Sequence, residues 1–101
     1  NIPMEKRTPH YKLAVVHALV EAGKVRATGS ALAGGAALGL DFHGIVDGVM
    51  ALTRRDFRKS MTTHADHRIW QDVYCPATSV GDVYVKLTVI EDVLVVSFKE
   101  S

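Results

Sequence analysis

The stretch VYVKLTVIEDVLVVSFK, residues 83–99, decides the fold. β-Branched residues dominate both of its halves, apolar residues recur with period two, and Glu91-Asp92 interrupts the run near its middle. The pattern predicts a hairpin with strands over 83–90 and 93–99. Pairing Ile90 with Val93 sets Thr88 opposite Val95, Lys86 opposite Ser97 and Tyr84 opposite Lys99. One face then holds Val83, Val85, Leu87, Val89, Leu94, Val96 and Phe98, an apolar set that has to be covered. The other ends in Tyr84, Lys86, Ser97 and Lys99, a small cationic patch backed by a core. A bulge or an asymmetric turn would flip one strand and dissolve the patch.

Working upstream, 69–75 (IWQDVYC) reads as a third strand, with Pro76 and Gly81 in the loop that follows. If Val73 pairs with Tyr84, Gln71 pairs with Lys86 and joins the patch. The same choice turns Asp72 toward the covered face, where an unpaired carboxylate is expensive.

Earlier in the chain the period changes to that of helices. Thr8-Pro9 offers a cap and a first-turn proline, Leu13, Val16, His17 and Val20 share a face, and Gly23 provides a stop. Ser30 is a candidate cap for a second helix over 30–39. Gly34-Gly35 weaken that helix by about 1 kcal/mol each relative to alanine. Asp41 then caps a third helix whose stripe is Phe42, Ile45, Val46, Val49 and Leu52. Helices first and an antiparallel meander after them predict an α+β domain, the N-terminal helices packed on one face of the sheet.

The chain has 101 residues, 48% of them hydrophobic and 23% charged, with a net charge of +1 and one cysteine. That suits a single soluble domain over 4–101, with 1–3 an appended remnant ahead of a natural start at Met4. No apolar run reaches the roughly 18 residues of a membrane-spanning helix, and no signal peptide is visible, so the cytoplasm is the expected location. Cys75 alone forms neither an internal disulfide nor a cysteine cluster for zinc.

Three features invite chemistry. His64-Ala65-Asp66-His67 holds potential metal ligands or acid/base groups, but no third donor stands at a recognisable metal spacing, and a polar turn with Asp66 capping the next segment is favoured. Gly29 to Gly39 lacks the Lys-Ser/Thr of a phosphate loop, so its glycines read as close packing. Arg54, Arg55, Arg58 and Lys59 place four cations in six residues, either a solvated helix end or a phosphate-binding cluster. Together with Gln71, Tyr84, Lys86 and Lys99, that cluster suits an RNA phosphate and the charge that develops on a phosphorane. Ordinary solvent-facing residues on an antiparallel sheet would look the same. No metal or other cofactor is expected.

Several strings add to this reading. Met4-Glu5-Lys6-Arg7-Thr8-Pro9-His10, Gly39-Leu40-Asp41-Phe42, Lys59-Ser60-Met61-Thr62-Thr63, Ile69-Trp70-Gln71-Asp72-Val73-Tyr74 and Val96-Ser97-Phe98-Lys99-Glu100 occur in an order that resembles the motility quorum-sensing regulator (MqsR) toxin family from Met4 onward. The resemblance implies a RelE/YoeB-like α+β fold and an mRNA interferase that cuts single-stranded messenger RNA at short GC-containing sites. It also implies a cognate MqsA-type antitoxin as partner. The family's functional positions fall on Lys59, Gln71, Tyr84 and Lys99, and all four residue types are retained. The family carries tyrosine at the position of His64, which argues against catalysis by that histidine, and arginine at the position of Cys75. The mechanism so implied is metal-independent attack of a 2′-hydroxyl on its phosphate, with Lys59 and Lys99 stabilising charge, Tyr84 giving or taking a proton and Gln71 orienting the substrate. Its rival is a small basic module that binds RNA or a protein without cutting.

Overall fold

The computed structural model describes residues 3–101; residues 1 and 2, part of the expected N-terminal remnant, lie outside the described residues. Along the chain run β1 (Glu5–Lys6), α1 (Leu13–Glu21), β2 (Val25–Ala27), α2 (Gly29–Ala37), α3 (Phe42–Met50), a 3-10 turn (Arg54–Asp56), β3 (Phe57–Thr62), β4 (Trp70–Tyr74), β5 (Ala77–Thr78), β6 (Gly81–Ile90) and β7 (Asp92–Glu100). The sheet order is β1-β3-β4-β6-β7-β2, with β5 attached to β6. All pairings are antiparallel except β2 with β7. The α+β architecture stands as expected, but the first half is not purely helical. It donates a strand to each edge of the sheet.

The helices end as the sequence signals predict and begin less regularly. Gly23 (φ 77°) and Gly39 (φ 80°) adopt the left-handed conformation just past α1 and α2. In each case two hydrogen bonds close a Schellman turn: Gly23 N to Val20 O and Lys24 N to Leu19 O, then Gly39 N to Ala36 O and Leu40 N to Gly35 O. Asp41 caps α3 by accepting from Gly44 N at 2.9 Å. The cap of α2 is Thr28 rather than Ser30, and its hydroxyl accepts from Ala31 N. α1 starts at Leu13, four residues after the expected proline start. The amides of His10 and Tyr11 instead donate to the two oxygens of the Asp72 carboxylate, at 3.1 and 3.0 Å. Those bonds also remove the objection to a buried Asp72, which is fully enclosed.

α2 lies close against β7 because it carries Gly34: a methyl there would run into the Phe98 carbonyl oxygen. Gly35 likewise leaves room for the Ile45 side chain of α3. The core gathers Val16, Val20, Ile45, Val49, Phe57, Tyr74, Val83, Val85, Leu87, Val93, Val95 and Phe98. Tyr74 is buried against Phe57, and its hydroxyl has no hydrogen-bond partner among the described residues. Burial, then the Asp72 charge, pushes its pKa up to about 12.

The hairpin corrects the expected register at one end and keeps it at the other. Near the turn Ile90 pairs with Asp92, Val89 with Val93, Thr88 with Leu94 and Leu87 with Val95. Glu91 alone spans the tip, at φ 64°. The buried residues of β7 are therefore Val93 and Val95 there, not Leu94 and Val96. A bulge at Val96 then absorbs one residue and restores the expected pairs Lys86–Ser97 and Tyr84–Lys99. Thr28 holds that bulge: its hydroxyl donates to Val96 O at 2.7 Å and its amide to Val95 O at 3.0 Å. The patch survives because the one-residue turn and the bulge offset each other.

β3 is a strand that the basic run concealed. It contains a second irregularity, between Phe57, paired with Tyr74, and Lys59, paired with Val73. Arg58 is the extra residue. In an unbroken strand Phe57 and Lys59, two residues apart, would share a face; the bulge at Arg58 lets Phe57 enter the core while Lys59 turns to the other side.

Candidate functional site

The sheet face away from the core carries one continuous row, in which Lys59 on β3, Val73 on β4, Lys86 on β6 and Ser97 on β7 stand in register. Tyr84 and Lys99 form the next paired row on one side. Gln71, paired with Met61, lies on the other side. Val73 falls opposite Lys86 rather than Tyr84, an offset of two residues from the expected pairing. An offset of two preserves the face, so Gln71 still joins the patch. Val73 is only 2% exposed although it lies outside the main core, and it forms an apolar floor between the two lysines.

The lysines shape each other's environment. The ammonium of Lys99 stands 5.2 Å from the ring centroid of Tyr84. Burial pulls the pKa of Lys86 below the ordinary lysine value, and the charges of Lys99 and Lys59 lower it further. Burial raises the pKa of Tyr84, against the opposing pull of Lys59 and with a smaller push from Cys75. Such a surface gains from an anion: a bound phosphate would relieve repulsion among three cations and raise the pKa of Lys86 again. Lys59 already has a partial counter-charge, since its Nζ donates to Glu5 Oε1 at 3.0 Å.

The arginines do not all join this surface. The Arg54 guanidinium lies 4.8 Å from the centroid of Phe57, a core residue on the helix-covered side. Arg55 is exposed on the 3-10 turn. Arg58 extends from the bulge, with Nη1 3.3 Å from both Asp56 O and Phe57 O and Nη2 3.4 Å from Cys75 O. It therefore sits at the rim of the lysine face, whereas Arg54 does not.

The histidines serve other ends. His17 Nε2 meets Val49 O at 2.9 Å and ties α1 to α3. His10 stacks on Trp70, with centroids 5.2 Å apart and planes at 13°. Asp66 belongs to a polar turn. It receives Arg68 through Nε and Nη2, both at 3.1 Å, while its own amide donates to the Thr63 hydroxyl. Those bonds, led by the side-chain pairing with Arg68, hold the Asp66 carboxyl below its usual range. Among the described residues no three His, Cys, Asp or Glu side chains converge as metal ligands.

One concavity lies elsewhere. A cavity of about 400 Å³ opens on the helix-covered side between α3 and residues 76–80, lined in part by Gly48 and Phe98. Its ionisable groups are Asp47 and Asp56, carboxylates that repel phosphate. The lysine face is thus the stronger candidate for a polyanion although it is flat. Val73 is expected on this face beside Tyr84 and lies beside Lys86 instead; Glu5, in a two-residue strand with no periodic signal, is the member that sequence reasoning misses.

A family model described as "Motility quorum-sensing regulator, toxin of MqsA" matches residues 8–100. The chain is also 59% identical over 97 residues to the mRNA interferase toxin MqsR of Escherichia coli (strain K12), covering 96% of this chain and 99% of that protein. No helix among the described residues is long and apolar enough to cross a membrane.

Proposed function

The chain belongs to the motility quorum-sensing regulator toxin family, and on that premise we propose that its lysine face cuts single-stranded messenger RNA by metal-independent transesterification. It is an mRNA interferase, the toxin half of a toxin–antitoxin pair whose other member is an MqsA-type protein. Its cuts fall at short GC-containing sites in the cytoplasm, and loss of messenger halts translation and growth.

The observation that carries the mechanism is the register of Lys59, Val73, Lys86 and Ser97, with Tyr84 and Lys99 in the adjacent row. A phosphate seated over Val73 has Lys59 and Lys86 on either side. Lys99 and Lys59 stabilise the extra negative charge of the phosphorane, in the role that a bound cation fills in metal-dependent nucleases. Tyr84 is the proton donor to the leaving 5′-oxygen, because burial keeps its phenol protonated. Gln71 orients the nucleotide by hydrogen bonds from its amide. Arg55, Arg58 and Lys86 extend the phosphate track. Arg54, stacked on Phe57, contributes through field rather than contact.

The test is cleavage of a short GC-containing RNA in excess EDTA. Fragments ending in 2′,3′-cyclic phosphate are expected, and Tyr84→Phe or Lys99→Ala should slow their formation about 100-fold or more with folding unchanged. RNA that is bound yet intact would make the chain a binding module. Cleavage abolished by chelator would assign the chemistry to a metal.

A further inference from the structure

Transesterification needs an acceptor for the 2′-hydroxyl proton, and the residues so far assigned do not include one. Lys59 and Lys99 are cations in their working form, Gln71 has no proton affinity near neutrality, and Tyr84 is held protonated. Histidine is the usual acceptor, yet none of the five stands on the lysine face. His10 lies on Trp70, His17 on the Val49 carbonyl and His43 beside Phe42, while His64 and His67 belong to the turn beyond the Thr62–Trp70 pair.

One carboxylate does reach that face. Glu5 sits on β1 opposite Met61, in line with Gln71 across the sheet. Its Oε1 accepts from Lys59 Nζ at 3.0 Å, and Oε2 has no hydrogen bond to any described residue. The side chain is 46% exposed, open to a ligand approaching over Lys59. Lys59 is the charged group packed against it, with Tyr84, Lys86 and Lys99 farther across the same face.

We propose that Glu5 is the general base of the cleavage, oriented by Lys59, which it shares with the scissile phosphate. This rests on the nuclease reading given above. An ammonium has three hydrogens, so Lys59 can hold Glu5 Oε1 and a phosphate oxygen together. A phosphate held there brings its neighbouring 2′-hydroxyl toward the free Oε2. Glu5 takes the hydroxyl proton, the 2′-oxygen bonds to phosphorus, and the bond from phosphorus to the 5′-oxygen breaks. The leaving oxygen receives the Tyr84 proton. The products are a 2′,3′-cyclic phosphate and a 5′-hydroxyl end, and solvent returns Glu5 and Tyr84 to their starting forms.

The experiment compares the wild type, Glu5→Gln and Glu5→Asp on a short GC-containing RNA in EDTA, measuring single-turnover rates at saturating protein across a pH series. Glu5→Gln keeps the size and the hydrogen bond to Lys59 but cannot take a proton. Its saturated rate should fall about 100- to 10,000-fold. RNA affinity should hold or rise, because one negative charge leaves the face. The acid limb of the wild-type profile should vanish, and Glu5→Asp should recover part of the rate with the limb restored. A Glu5→Gln protein that cuts at the wild-type saturated rate overturns the assignment. So does one whose deficit lies wholly in weaker RNA binding, or a Glu5→Asp protein that is folded but no faster than Glu5→Gln. If the wild type itself leaves the RNA intact, the nuclease reading fails; if the wild type cuts and Glu5→Gln cuts equally well, only the role of Glu5 fails.

Discussion

β4 and β6 pair without a register shift, whereas β3 and β7 on either side of them each fall out of step once. The two central strands bring Gln71, Tyr84 and Lys86 to the open face by simple alternation. The two flanking strands bring Lys59 and Lys99 there, with Phe57, Val95 and Phe98 in the core, only because bulges at Arg58 and Val96 break the alternation. In β3 the insertion separates Phe57, which must enter the core, from Lys59, which must not. In β7 it separates Val93 and Val95 from Lys99, with Phe98 on the core side. A bulge thus serves packing and site construction in the same residue.

The largest expected effect comes from removing the core residue that the β7 insertion puts in place. Phe98 follows Val95 by three residues, so only the bulge at Val96 lets both face the core, and Phe98→Ala empties the place that the bulge creates. Losing Phe98 burial alone costs about 3–5 kcal/mol, a large share of the stability of a domain this size. The urea midpoint should collapse and RNA cleavage with it. A Phe98→Ala variant of wild-type midpoint would mean that β7 is not held in step by its core residues. Thr28→Ala is the milder version, removing the hydroxyl that caps α2 and ties down Val96 O. A cost of about 1–2 kcal/mol in the midpoint is expected. Cleavage by the folded fraction should also fall, because Lys99 follows the bulge by three residues.

This comparison also explains what was legible from sequence. The α+β class, the ends of α1 and α2, the cap of α3 and the strand 69–75 rested on local signals that tertiary packing left alone. The pairs Tyr84–Lys99 and Lys86–Ser97 follow from sequence even with a two-residue turn, since the bulge at Val96 offsets the one-residue difference at the tip. β3 was not legible: Arg58 breaks its alternation, and four cations in six residues resemble a solvated helix end. β1 and β2, of two and three residues, are too short to show a period and exist because the sheet edges accept them. Glu5 stayed hidden for the same reason.

The turn offers a gain rather than a loss. Glu91 spans it at φ 64°, a conformation that costs a side-chain-bearing residue roughly 1 kcal/mol. Glu91→Gly should raise the urea midpoint by about that amount while leaving cleavage unaltered, because the tip lies beyond the bulge from Lys86 and Lys99. A fall in activity would show that strain at the tip is transmitted past Val96, and the two halves of the hairpin would then have to be treated as one unit.

The smallest effect separates the covered side from the open one. His10 stacks on Trp70 at the start of β4, with Lys6 Nζ 2.8 Å from its Nδ1. Burial, then the Lys6 charge, lowers its pKa below 6.5, with Asp72 opposing. The unfolded chain therefore binds this proton more readily than the folded one. The stability His10 provides is present above about pH 6.5 and is lost as pH falls through the lowered folded value. His10 is largely exposed, so solvent screening keeps the change small. Urea midpoints at pH 7.5 and pH 5 should differ slightly more for the wild type than for His10→Gln, while the ratio of their cleavage rates stays constant across that range. A cleavage ratio that moved with pH would place His10 in the chemistry and join two faces that the sheet keeps apart.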